Sequence, residues 1–313
     1  GEMNRQRSFG ADVISCIEYG MHHSWEELQE SVTSQLSMLF QRLMQDARIP
    51  ADQIRDIVIT GNTTMLHFLL GLDASGIAAA PFTPKSLFGY SKSAYAYFPD
   101  FPAHTTLYLP DCIGSYVGAD VVCSILASGM CHREGVSLLA DIGTNGEMAL
   151  YVQGKLLTCS TAAGPAFEGA EIAMGMTAAP GAICEIAGTG GSFLVKTIDN
   201  VAARGICGTG LISALALFLE LGLVDESGRI QEDGHPFAAF LREYQGEPAI
   251  ELGSSGILLT QGDIRKLQLA KAAICAGIRT LSHEAGISLQ EMDAFYLCGG
   301  FGSYIDPQKA ARI

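Results

Sequence analysis

The sequence predicts an α/β chain of two units, on three observations. Amphipathic helical stripes alternate with short apolar strands over about the first 130 residues. Three short β-type runs joined by tight glycine turns begin near residue 136. Glycine makes up 36 of the 313 residues, well above the average of about 7%, and clusters where strands end. At roughly 100–200 residues per domain the length suggests two domains. The candidate boundary, residues 129–136, separates 1–130 from 131–313.

Ser24-Trp25-Glu26-Glu27 has the form of a capping box, and Leu28, Val32, Leu36, Leu39, Leu43 and Ala47 continue it as one apolar stripe that ends at Pro50. Ile57 to Thr60 reads as a buried strand, turned by Gly61-Asn62-Thr63-Thr64 into a short helix that stops at Gly71. Residues 75–106 look irregular; a strand at Leu107–Leu109 and a helix over Gly114–Ser128 follow. Runs 136–142, 147–152 and 155–160 form a β-meander with hairpins at Gly143–Gly146 and Gln153-Gly154. A helix is expected over Phe167–Met174, strands at 182–186 and 193–198, and a strongly apolar helix over Gly208–Leu221. Residues 225–248 read as loop. After a strand at 257–259, Thr260 caps a helix reaching about Glu284. A strand at Asp293–Leu297 then turns through Gly299-Gly300-Phe301-Gly302 toward a last helix near Pro307.

Composition excludes several classes. The net charge of −14 argues against a nucleic-acid or anionic-lipid surface, and 48% hydrophobic residues are too many for a disordered chain. No apolar run reaches the roughly 18 residues of a membrane span, and the first residues lack a signal-peptide core. The nine cysteines are scattered without a C-x-x-C pair, which reads as small buried thiols of a reducing, cytoplasmic compartment. The histidines show no metal-ligand spacing.

Three glycine motifs carry candidate chemistry. In Asp141-Ile142-Gly143-Thr144-Asn145-Gly146 an apolar strand delivers an acid to a hairpin of small residues. Such a turn can point successive N–H groups at a phosphate, with Thr144 and Asn145 as side-chain donors and Asp141 holding Mg2+ through water; it can equally be an ordinary hairpin. Gly208-Thr209-Gly210 opens a helix, where free amides and the dipole favour an anion and where glycine also permits close packing. Gly299, Gly300 and Gly302 follow a buried strand, where backbone can pass an adenine or ribose or simply turn. Neither is a Walker loop or opens a Rossmann unit.

In that order the three motifs resemble the actin-like ATPase superfamily. Five longer stretches sharpen the likeness: 9–15, Gly61 to His67, Leu139 to Glu147, Thr161 to Ala170, and Gly299 to Tyr304. Together they resemble the ATP-dependent reductive activators of corrinoid proteins over nearly the whole chain. The resemblance implies an actin-like, ribonuclease H-like two-lobed ATPase fold with mixed sheets flanked by helices, 1–130 forming a first lobe and 131–313 a second. It implies ATP or ADP with Mg2+, and an electron passed to a Co(II) corrinoid to regenerate Co(I). The expected partner is a corrinoid protein or corrinoid-dependent methyltransferase, with neither nucleic acid nor membrane involved and a homodimer among the expected assemblies. The family's ferredoxin-like domain, with its two-iron two-sulfur cluster, and its first phosphate hairpin have no counterpart here. The chain is therefore expected to be a fragment without reductase activity of its own.

Two further carboxylates are candidate catalytic groups. Glu168, after Gly164-Pro165, can polarise an attacking water or match a helix dipole. Asp120, beyond Gly114–Ala119, can orient water or metal or stand as a solvated helix acid. Rival functions are a small-molecule acyl or sugar kinase of the same superfamily and a non-catalytic docking module.

Overall fold

A computed structural model describes residues 2–10, 12–143, 145–231 and 237–313. The chain divides into two units, Gly1–His132 and Arg133–Ile313.

In the first unit, helix α1 (Val13–His22) starts at Asp12, whose carboxylate accepts the Ser15 N–H at 2.8 Å while Ser15 Oγ bonds back to the Asp12 N–H. The sequence reading passed over this helix. Helix α2 (Trp25–Ala47) begins at Ser24 as expected, with Ser24 Oγ accepting from the amides of Glu26 and Glu27. The reciprocal arm differs: the Glu27 carboxylate takes the Tyr19 hydroxyl. The apolar stripe differs too. Val32, Leu36, Phe40 and Met44 pack on the core, a strict spacing of four, and Leu43 is 63% exposed. Strand β1 (Asp56–Val58) is followed by α3 (Thr63–Leu70), α4 (Ser75–Ala78), β2 (Tyr90–Ser93), β3 (Thr106–Leu109) and α5 (Ala119–Ser128). β3 is central, parallel to β1 and antiparallel to β2. β1 is an edge strand rather than the buried one expected: Ile57 enters the core and Val58 is 61% exposed. α3 is buried nearly all round, capped by Asn62 Oδ1 on the Met65 N–H at 2.8 Å and stopped by Gly71 in the left-handed region. Phe40 meets Phe98 and Phe101 edge-on, so these aromatics are packing groups.

In the second unit, β4 (Val136–Ile142), β5 (Gly146–Val152) and β6 (Lys155–Thr161) form the expected meander. Then come β7 (Ala182–Thr189), β8 (Ser192–Thr197), β9 (Gly205–Ile206), α6 (Gly208–Leu221), β10 (Leu241–Tyr244), β11 (Glu247–Glu251), β12 (Leu258–Thr260), α7 (Gln261–Ala285), β13 (Met292–Cys298), α8 (Gly299–Gly302) and α9 (Pro307–Ala310). β13 joins the meander parallel to β4, giving the order β13-β4-β5-β6; β8-β7-β9 and β10-β11-β12 are separate sheets. β4 is apolar along almost its whole length because both of its faces are covered. Leu138, Ile142 and Leu150 share one core with Leu211 and Phe218 of α6 and Ile264 and Leu267 of α7. α7 starts on a capping box in which the Thr260 hydroxyl and the Asp263 carboxylate exchange amide bonds at 3.1 Å. β10 and the first residues of β11 lie in the stretch read as loop. There Arg242 and Glu243 break the apolar pattern, and the pairing is made by backbone.

Candidate functional site

The site starts where two parallel strands end side by side. Cys298 of β13 is in register with Asp141 of β4, and beyond them the chain turns at Gly143 and at Gly299. Gly299 has φ +81°, and a β-carbon on it would run into Asp141 Oδ1. This residue must therefore be glycine, both for its backbone angle and for the acid beside it. In the hairpin, the Gly143 N–H donates to the Asn145 carbonyl at 3.0 Å. Neither Gly143 nor Gly146 adopts positive φ. Gly146 is glycine for space, since a β-carbon there would lie 2.8 Å from Thr161 Oγ1. Asn145 is half-buried in the turn, and Thr144 lies outside the described residues.

Glu168 faces the same hairpin: a β-carbon on Gly143 would stand 4.0 Å from Glu168 Oε1. The helix expected over Phe167–Met174 is a single 3-10 turn, Pro165–Glu168, because Gly169 takes the left-handed region and ends it. The short turn keeps Glu168 at the hairpin instead of carrying it along a helix.

α6 begins at Cys207, which is extended and makes no side-chain capping bond. Both readings of its glycines have a place here. A β-carbon on Gly208 would strike the Phe167 carbonyl and one on Gly210 the Ile183 carbonyl, so each glycine lets the helix start pack closely. Gly208 and Thr209 nevertheless line a cavity of about 880 Å³, together with Phe167, Glu168, Gly300 and Phe301. Phe167 and Phe301 stack in its wall with ring centroids 5.1 Å apart. Gly300 is exposed, with open space where a β-carbon would be; Gly302 is buried against Leu297. Asp141, Gly143, Asn145, Gly146, Gly210, Gly299 and Gly302 are not in the cavity wall, and Glu168 belongs to both places.

Sequence reasoning missed the charged part of this cavity. Lys309 Nζ donates to Glu185 Oε1 at 3.1 Å and to Ser213 Oγ at 2.9 Å, and Lys196 Nζ lies 3.7 Å from Glu185 Oε2. Glu185 and Lys196 are partners across the β7–β8 hairpin, and Ser213 of α6 and Lys309 of α9 reach them from elsewhere in the chain. Lys196 is the single charged residue of β8, so the strand itself carries no pattern that signals the cluster.

Asp120 belongs to the first unit. Its Oδ1 accepts the Val121 N–H at 2.9 Å, and its own N–H donates to the Gly61 carbonyl at 3.3 Å. Burial is the main influence on the carboxyl and raises its pKa, so Asp120 is not the solvated acid of the alternative reading. The helix expected from Gly114 starts only at Ala119. Gly114 pairs with Val117 in a turn, and the Gly114 carbonyl accepts from Thr63 Oγ1 at 2.6 Å. Close by, His67 is fully buried: Nδ1 lies 2.7 Å from the Thr63 carbonyl, and Nε2 accepts the Ser86 N–H at 3.3 Å.

All nine cysteines are free thiols, Cys16, Cys112 and Cys207 buried and the other six half-buried, fewer buried than expected. Among the described residues, no group of three or more His, Cys, Asp or Glu side chains is placed to hold a metal ion, and no helix is long and apolar enough to cross a membrane.

Residues 135–313 match the family model described as the C-terminal domain of RACo, the ASKHA domain; residues 1–133 match that of the RACo middle region. The chain is 32% identical to a corrinoid activation enzyme, RamQ, of Eubacterium limosum, over 99% of this chain and 54% of that protein. It is 26% identical to a Co(II) methylated amine-specific corrinoid protein reductase of Methanosarcina barkeri, over 97% of this chain and 58% of that protein. Among solved structures, a reductive activator for corrinoid, iron-sulfur protein superposes with a TM-score of 0.85 at 34% identity, over 99% of this chain and 51% of that one. The chain thus spans about half the length of these relatives.

Proposed function

The chain belongs to the RACo family, matching its middle region and its actin-like ASKHA domain, and on that premise we propose that it is the nucleotide-using part of an activator that returns a corrinoid protein from Co(II) to Co(I). The ASKHA domain implies nucleotide binding. The observation that carries the reading is the meeting of Asp141, Gly143, Glu168 and Gly299 at two adjacent strand ends, beside a cavity of about 880 Å³ that begins at Gly208. Ligands of α/β sheets bind beyond the carboxyl ends of strands, and the cavity volume is in the range of small-molecule sites.

In this reading the hairpin Gly143, Thr144, Asn145 and Gly146 cradles phosphate. The amides of Gly208, Thr209 and Gly210 add the positive end of α6, and Gly299, Gly300 and Gly302 carry backbone past the adenosine. Asp141 fits a Mg2+ held through water, since among the described residues no three His, Cys, Asp or Glu side chains gather to hold an ion, which leaves most of the coordination to water and phosphate. The ion would offset phosphate charge. Glu168 orients and polarises the attacking water, and Asp120 is the second candidate acid. Reading the first unit as an actin-like lobe is part of the same proposal.

Nucleotide is needed because the Co(II)/Co(I) couple lies too low for an ordinary ferredoxin electron. A nucleotide that prefers one protein conformation biases which conformation of the corrinoid partner is bound, and with it the ligation of cobalt. The nine thiols described here do not group into a cluster site. In this proposal the electron comes from a two-iron two-sulfur domain outside these residues. A cytoplasmic location and a homodimer belong to the same reading.

The test follows Co(II) loss spectroscopically, with full-length protein, a reductant, a corrinoid protein and Mg-ATP. ATP-dependent loss is expected. Equal rates with and without ATP remove the coupling, phosphorylation of a small acceptor moves the assignment to a kinase, and absence of nucleotide binding leaves a docking module.

A further inference from the structure

β7 and β9 run parallel, with Ala182 beside Gly205 and Ile183 beside Ile206. The next step along both strands puts Cys184 beside Cys207. Cys207 is still extended there, φ −95° and ψ 173°, and its N–H donates to the Ile183 carbonyl at 3.1 Å, the bond that closes the Ile183–Ile206 pair. Neighbouring residues of adjacent strands stand about 4.8 Å apart and point to the same face. That spacing lies inside the Cα separation of about 4.4–6.8 Å that a disulfide spans. The pairing of β7 with β8 shifts register between Ile183 and Glu185, so Cys184 is the extra residue of a bulge, and its thiol donates to the Lys196 carbonyl at 3.4 Å, a bond that bridging to Cys207 has to break. Both cysteines line the 880 Å³ cavity.

We propose that Cys184 and Cys207 form a dithiol site in the cavity wall that reacts with an oxidant of the disulfide class and, by bridging, closes the cavity to its ligand. Cys184 is half-buried and meets the oxidant first; Cys207 is buried and resolves the adduct. The Cys184 thiolate attacks the oxidant's S–S bond, expels one thiol and leaves a mixed disulfide. The Cys207 thiolate attacks that sulfur and expels the second thiol. Two S–H bonds are lost and one S–S bond forms. The two protons and two electrons leave with the oxidant, which becomes two thiols. Cys207 Sγ now lies 3.3 Å from both the Ile183 carbonyl and Thr209 Oγ1. Bridging withdraws it from both and disturbs the start of α6, where Gly208 and Thr209 line the cavity.

Only the closing step rests on the nucleotide reading, and the experiment separates the two. Reduced protein is exposed to oxidised glutathione at about pH 8.5, because burial raises the Cys184 thiol. It is quenched with a maleimide and cut with trypsin, which separates the cysteines at Lys196 and Arg204. A 184–207 cross-linked peptide is expected. Mg-ADP affinity should fall at least about tenfold and return with dithiothreitol, and Cys184→Ser and Cys207→Ser should each remove the sensitivity to oxidant. Glutathione on separate sulfurs without a bridge overturns the dithiol. A bridge with unchanged affinity overturns the closure. Reduced protein that binds no nucleotide sinks the nucleotide reading, while the cross-linked peptide still decides the dithiol.

Discussion

Asp141 Oδ1 occupies the space that a β-carbon on Gly299 would need, so the last acid of β4 and the first residue after β13 exclude each other's enlargement. Gly299→Ala should cost stability, roughly 1–3 kcal/mol for a side chain at positive φ, and displace the carboxylate. Mg-nucleotide affinity should fall at least about tenfold. Gly300→Ala is the control, since it has open space and no positive φ. Its melting temperature should stay at the wild-type value. Equal losses in the two variants would remove the special role of Gly299.

Glu168 and Asp141 should separate chemistry from binding. Glu168→Gln keeps the shape and loses the base. Single-turnover hydrolysis should slow by about 10²-fold or more, with nucleotide affinity within about twofold. Asp141→Asn should do the reverse in calorimetry, weakening binding with Mg2+ and leaving the melting temperature nearly unchanged. If Glu168→Gln hydrolyses at the wild-type rate, the acid serves only its 3-10 turn.

The elements legible in the sequence were those whose burial is one-sided or complete. The meander, α6 and the Thr260 cap announced themselves by period and by capping chemistry. The ends of Asp141 and Gly299 were readable because strand-then-glycine is a local signal. The Glu185, Lys196 and Lys309 cluster was not readable: Glu185 and Lys196 face each other across the β7–β8 hairpin, where a register shift sets the pairing, and Lys309 joins them only through the fold. The Phe167–Met174 expectation failed for a related reason: apolar residues suggested a helix, and the backbone angle at Gly169 overrode them. α2 shows the limit of stripes, since spacings of three and four leave the choice between Leu43 and Met44 to the neighbours.

His67 should make acid destabilising. Burial is the main influence and lowers its pKa below 6.5, and the ring is held neutral between the Thr63 carbonyl and the Ser86 amide. The unfolded chain then binds more protons than the folded one as pH falls through about 6.5. This part of the stability is present above that pH and is lost below it. Melting temperature should drop from pH 7 to pH 5, and His67→Gln should flatten that slope. An unchanged slope would mean the imidazole is charged in the fold.

Asp120 should work in the opposite sense. Its folded pKa is raised, mainly by burial, so its contribution is full below about pH 3.9 and declines as pH rises through the folded value. Asp120→Asn should therefore raise the melting temperature at pH 7 relative to its effect near pH 3.5. A loss at pH 7 would show that the carboxylate is bound in its charged form at that pH.

Ser137 carries a hydroxyl with no hydrogen-bond partner at a position with no exposed surface. It sits in β4 between two apolar residues, opposite Tyr151 on β5 and Ala294 on β13. A buried hydroxyl without a partner costs about 1–3 kcal/mol, so Ser137→Ala should raise stability by about 1 kcal/mol in urea unfolding. Ser213 is the opposite case, because its hydroxyl accepts the Ile186 N–H at 2.9 Å and donates to the Ile186 carbonyl at 3.1 Å. Ser213→Ala strands both backbone groups and should lose about 1–2 kcal/mol. The opposite signs make the pair decisive. If Ser137→Ala destabilises the protein as Ser213→Ala does, the Ser137 hydroxyl is bonded through a buried water, and β4 is wetter at its start than its apolar run implies.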